Sequence, residues 1–153
     1  MKKLLSACCV FFLTISGANA QIAPPPTTPQ VVLVLNVGPF NSNVASQTLY
    51  TVPANKSGAY RVAIYAVETT ADGASSTLPN AGVGWTDADT SVALQANTVT
   101  PSNSANAIGA FGQGSEIMNV KAGSNITWLT SNYASGTPGA MNYTVRLRVE
   151  YLN

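Results

Sequence analysis

Apolar and polar positions alternate with a period of two through most of the chain, and no segment shows the 3.6-residue apolar period of an amphipathic helix. The clearest run closes the sequence. Across Met141–Leu152, Tyr143, Val145, Leu147, Val149 and Tyr151 alternate with Thr144, Arg146, Arg148 and Glu150. Such alternation describes an antiparallel strand with one face in a core and the other in water. A second long strand, Ala59–Thr70, sets Tyr60, Val62, Ile64 and Ala66 on one face and Arg61, Ala63, Tyr65 and Val67 on the other. Shorter strands are expected at Thr48–Val52, Val83–Thr86, Ser91–Val99, Ile108–Phe111, Glu116–Val120 and Ile126–Thr130. Gly112-Gln113-Gly114 is read as a bulge or bend between two of these. Val31–Val37 (VVLVLNV) is apolar on both faces, so it needs cover on both sides. That cover comes from an interior position in one subunit or from a neighbour's sheet edge. Eight to nine short strands at turn spacings of roughly 8–14 residues predict an all-β antiparallel sandwich, jelly-roll-like, over residues 31–153.

The ends read differently. Met1-Lys2-Lys3, an apolar run from Leu4 to Ile15 and a closing Ala18-Asn19-Ala20 make residues 1–20 an export signal. The run is shorter than the roughly 20 apolar residues that span a bilayer. Leu5-Ser6-Ala7-Cys8 also matches a lipobox, which would anchor the chain by a lipid on Cys8, but only Leu4 and Leu5 supply an apolar core before it. The expectation is therefore a cleaved, secreted chain, with the periplasm as the other destination. Residues 21–30 (QIAPPPTTPQ) hold four prolines and no charge, an extended spacer outside any sheet.

Export changes the composition. Two of the seven basic residues and both cysteines lie in the leader, leaving five bases against six acids, a balance of −1, and no disulfide. Without a basic excess, neither nucleic acid nor an anionic membrane is an expected partner. The chain has no histidine and only 8% charged residues, which removes histidine bases and histidine-ligated metals. No catalytic residue and no cofactor is assigned, and the chain is read as non-enzymatic. Asp87 and Asp89 stand in a turn, where aspartate bonds nearby backbone donors. With Ser91 they also form the alternating oxygen pattern that opens a calcium loop, though Val92 and Thr98 stand where that loop needs Gly and Glu.

Among the side chains, Arg61, Arg146 and Arg148 fall on predicted strands, as sheet positions paired with Glu150 or Glu68 or as a subunit or anion contact. The aromatics, Trp85 and Trp128 included, are mostly core by period, with Tyr133 beside a Ser/Gly/Pro loop as the exposed candidate for sugar stacking. The interface candidates are thus Val31, Val32, Leu33, Val34, Leu35, Tyr133, Arg146 and Arg148.

Leu49–Tyr60 reads LYTVPANKSGAY: an aromatic, Pro53, then Gly58-x-Tyr60 opening a long alternating strand. This resembles the globular-head jelly roll of the complement and tumour-necrosis-factor superfamily. The stretches TVPA (51–54), GAYRV (58–62), WTDAD (85–89), NVKAGSNITW (119–128) and YTVRLRVEYL (143–152) are similar to small β modules of phage virions and bacterial exported proteins. The resemblance implies a trimer-forming jelly roll used for adhesion or display. The function expected is a secreted structural or adhesive subunit that associates with itself as a trimer or fibre. The alternative is a carbohydrate-binding module that takes surface glycans on exposed aromatics and Asn-rich loops.

Overall fold

The computed structural model describes residues 28–101 and 106–152. The leader, Cys8 and the spacer up to residue 27 lie outside them. Among the described residues ten antiparallel strands form the fold: β1 (Gln30–Phe40), β2 (Gln47–Thr51), β3 (Gly58–Thr70), β4 (Ser76–Thr77), β5 (Asn80–Thr86), β6 (Ala93–Val99), β7 (Phe111–Val120), β8 (Asn125–Ser131), β9 (Ala134–Ser135) and β10 (Asn142–Tyr151). Two of them, β4 and β9, are two-residue pieces that pair only with each other.

The other eight build two four-stranded sheets, ordered β1-β10-β3-β7 and β2-β8-β5-β6. Counted without β4 and β9, the first strand pairs the last, the second the seventh, the third the sixth and the fourth the fifth. This is one long hairpin rolled over on itself, the jelly-roll plan. The β10 alternation places Tyr143, Val145, Leu147 and Val149 at 1% exposure or less, facing Val62, Ile64 and Ala66 of β3 in the core. Across the interior stand Leu49, Val83, Ile126 and Trp128 of the second sheet. Trp128 and Tyr143 both meet Phe40, with ring centroids 6.0 and 5.6 Å away.

Three expectations change. Val31–Val37 belongs to an edge strand, because β1 pairs β10 on one side only. Its Leu33, Leu35 and Val37 lie opposite Val149, Leu147 and Val145 and pack on the core, while Val34 is 70% and Val31 43% exposed. Apolar character on both faces therefore marks one face in the core and one uncovered.

The Gly112–Gly114 stretch does not bend, and Ile108 lies in a turn before β7. β7 runs beside β3 without a register shift from Gly58↔Val120 to Val67↔Phe111. The glycines serve close approach instead: a Cβ on Gly114 would lie 2.0 Å from the Thr98 carbonyl oxygen, and one on Gly112 2.7 Å from the Val99 side chain.

Finally, Glu68 pairs with no arginine. It shares the inward parity of Val62, Ile64 and Ala66 and is 1% exposed, with its carboxylate accepting from Ser76 Oγ at 3.1 Å.

Candidate functional site

The first sheet turns one face to the core and the other outward. Register puts the outward side chains in rows that cross all four strands. One row holds Val31, Glu150, Arg61 and Ile117; the next holds Val34, Arg148, Ala63 and Ser115; the next holds Asn36, Arg146, Tyr65 and Gln113. Three arginines thus share one face, and Glu150 is its one acid among the described residues.

Glu150 serves two of them. Its Oε2 accepts from Arg61 Nε at 2.6 Å and also pairs the Arg61 Nη2, while Oε1 lies 2.7 Å from Arg148 Nη2. A single carboxylate between two guanidiniums leaves one positive charge, and Arg146 adds another. Arg146 is exposed and has no charged or hydrogen-bonding side-chain partner among the described residues.

Small residues between long ones leave a depression of about 540 Å³ at the middle of this face. It is lined by Ala63, Ser115 and the backbone at Gly114, together with Val34, Tyr65, Gln113, Arg146 and Arg148. Tyr65 is braced by Phe111, stacked with centroids 5.7 Å apart and 27° between planes. Guanidinium forks beside an aromatic face and free amide and hydroxyl groups can hold an oxyanion that carries a partly apolar body.

Beside the depression, β1 offers its unpaired edge. No residue from Gln30 to Phe40 is charged. Val32, Leu33 and Leu35 are partly buried against the core, so of the five candidates on this strand Val31 and Val34 stand open.

The other candidates are engaged in holding loops. Tyr133 is half-buried against Tyr143, and its hydroxyl donates to the Met141 carbonyl at 2.8 Å, so the ring expected to be exposed is part of the packing. Asp87 Oδ1 accepts from Thr90 N at 2.9 Å, the Thr90 hydroxyl at 2.8 Å and Asp89 N at 3.2 Å. The Thr90 donors, followed by the Asp89 amide, hold its carboxyl below the usual range. Asp89 Oδ2 accepts from Asn119 Nδ2 at 3.0 Å, and Ser91 Oγ is 3.0 Å from the Lys121 ammonium. The ammonium thus meets the Ser91 hydroxyl and a neutral amide meets Asp89, and these two contacts tie the β5–β6 turn to β7 and the residue after it. Among the described residues no three His, Cys, Asp or Glu gather in metal-binding geometry.

The sequence named Arg146 and Arg148 but missed Tyr65, Gln113 and Ser115 as their neighbours. The signal available was parity: Tyr65 shares the outward face of Arg61 on β3.

No family model matches the chain, and no curated protein is similar to it. One solved structure, described as the cyanophage Pam1 capsid asymmetric unit, is similar at 17% identity and a TM-score of 0.43, covering 93% of this chain and all of the other. A likeness that distant sets neither fold nor function.

Proposed function

We propose that the protein is an exported, non-enzymatic structural subunit that joins copies of itself, β1 of one laid antiparallel beside β1 of the next. The observation that carries this is the edge itself: eleven residues without a charge, unpaired on the outer side among the described residues. Edge strands are normally blunted by a lysine, an inward charge, a proline, a bulge or a covering loop, because an open row of amides and carbonyls templates pairing with another chain. β1 has its bulges and Pro39 near its two ends, and Leu33–Val37 between them is regular and uncharged. A second copy brings an identical uncharged run, so no like charges meet across the contact. Val34 and Val31 lose exposed apolar surface in the process.

The disposition of the acids supports a non-catalytic role. Glu68 and Asp72 are buried and hydrogen-bonded, Glu150 is ion-paired, and Asp87 and Asp89 shape a turn. Glu116 then has no second carboxylate to act with. The lysine-led apolar leader ending Ala18-Asn19-Ala20 supports export.

Light scattering over a concentration series of the purified protein tests the reading. The mass is expected to rise to that of a dimer, since each copy has one such edge and the contact closes on itself. Val34→Lys, which puts a charge on the edge, is expected to hold the protein as a monomer at an unchanged melting temperature. A wild-type protein monomeric at every concentration overturns it.

A further inference from the structure

The depression on the outer face has features that edge pairing does not use. Pairing through β1 extends the sheet in its own plane and leaves the face open. The face keeps two uncompensated positive charges, although the chain without its leader has a balance of −1. Two guanidiniums are too few for the track of phosphates that a nucleic acid presents. They suit a single oxyanion, and the fork geometry of arginine matches a carboxylate with two parallel bonds.

The surroundings say what else such a ligand carries. Tyr65 lies opposite Arg146 in register and is fixed by Phe111, so an aromatic surface adjoins the charge. The Gln113 amide, the Ser115 hydroxyl and the Tyr65 hydroxyl have no hydrogen-bond partner among the described residues. The amide and hydroxyls both donate and accept, as sugar hydroxyls do. The volume of about 540 Å³ lies in the usual range for small-ligand sites. A body with an apolar C–H face, an edge of hydroxyls and one acid group meets all three demands.

We infer that the depression binds a carboxylate-bearing saccharide, its acid on Arg146 beside Arg148, its ring against Tyr65 and its hydroxyls on Gln113 and Ser115. Arg61 and Glu150 act as positioning residues: Glu150 holds Arg148 at 2.7 Å at the rim.

Calorimetric titration of the purified protein with tetragalacturonate, with the corresponding neutral galactose tetramer, with a tetraglutamate peptide and with sulfate tests the inference. The acidic tetrasaccharide is expected to bind saturably and at least about tenfold more tightly than the other three: the charge-assisted fork sets it above the neutral tetramer, and the ring and hydroxyl contacts with Tyr65, Gln113 and Ser115 set it above the peptide and sulfate. Arg146→Gln is expected to remove that advantage, while Lys121→Gln, outside the depression, leaves it intact; melting temperatures check that both variants fold. Equal binding of the acidic and neutral tetramers overturns the inference, as does full affinity in folded Arg146→Gln. Tetraglutamate binding as tightly makes the site one for acidic peptides, and sulfate competing mole for mole makes it a bare anion site; each result also overturns it. Light scattering of Arg146→Gln separates this outcome from that of the assembly, since β1 is untouched.

Discussion

The two open sides of the sandwich are finished in opposite ways. On one side β6 and β7 lie against each other: Gly112 and Gly114 let the Val99 side chain and the Thr98 carbonyl into the space a Cβ would fill. Farther along, β7 gives up part of its own edge, since Lys121 N donates to the Thr86 carbonyl and Ala88 N to the Asn119 carbonyl at 2.9 and 3.0 Å. On the other side no backbone hydrogen bond joins β1 to β2 among the described residues. A cleft of about 210 Å³ separates them there, lined by Val32, Tyr50, Tyr60 and Tyr151. β7 is closed off by its neighbours, whereas β1 keeps an outer edge that no described strand pairs.

The closed side can be broken with a single methyl group. Replacing glycine by alanine in a strand ordinarily stabilises slightly by restricting the unfolded chain. At Gly114 the sign reverses, because the new Cβ would meet the Thr98 carbonyl oxygen at 2.0 Å while β3 holds β7 in continuous register behind it. Gly114→Ala is expected to destabilise by about 3 kcal/mol or more, in the range of severe core overpacking. Gly73→Ala, where nothing lies within 4 Å, is expected to be nearly neutral. Urea melts of the two variants decide the matter, and equal midpoints would mean that the sheets do not touch at β6–β7.

The open side is held from its loop. Val44 N donates to Thr130 Oγ1 at 2.7 Å, the Thr130 hydroxyl to Tyr143 Oη at 2.8 Å, and the Tyr143 hydroxyl to the Ser42 carbonyl at 2.8 Å. Each hydroxyl has one proton and spends it once, so the chain of bonds has a single direction. It ties the β1–β2 connection to β8 and β10, as β7 is tied to the β5–β6 turn on the closed side. Tyr143→Phe removes the middle link and leaves two groups without partners, which is expected to cost about 1–2 kcal/mol. A shift of the urea midpoint at unchanged slope checks it. No shift would mean that core packing alone holds the β1–β2 loop.

Much of this is legible in the sequence, and all but one of the departures share a cause. Alternation in β10 and β3 assigned their inner and outer residues, because period two is a local property of the strand. Whether β1 is an edge or a centre depends on which strands flank it, and Val31–Val37 looks the same in either place. Gly112 and Gly114 suggested a break because the reason for glycine lies in β6, more than ten residues away in sequence. Glu68 was the avoidable miss, since its parity with Val62 and Ile64 already turned it inward. Of the depression, Arg146 and Arg148 were visible on one strand, but Tyr65, Gln113 and Ser115 reach it from two others through register alone.

Glu68 supplies the smallest test, at the end of the closed side where β7 begins. Its backbone continues the β3–β7 ladder, accepting from Gly109 N and donating to the Ala110 carbonyl. Its carboxyl is pushed above the usual range by burial, which outweighs the Ser76 hydrogen bond, with Asp72 pushing the same way. An acid whose folded pKa lies above its unfolded one binds its proton more tightly when folded. Stability is therefore lost as pH rises through the unfolded value and then levels off above the folded one. Asp72 works oppositely. The Thr137 amide, the Ser135 hydroxyl and the Ala74 amide hold its carboxyl down to about 2, so its contribution is present above the ordinary carboxyl range and lost as pH falls toward 2. Glu68→Gln keeps an acceptor for Ser76 and removes the buried charge. It is expected to stabilise by a few tenths to about 1 kcal/mol at pH 7, with the gain vanishing below about pH 4, where the wild-type carboxyl is protonated in both states. Thermal melts of the two proteins at pH 4 and pH 7 measure that difference. A gain at pH 4 equal to the gain at pH 7 would assign it to packing, and a loss at pH 7 would mean that the ionised carboxylate contributes a bond the amide cannot replace.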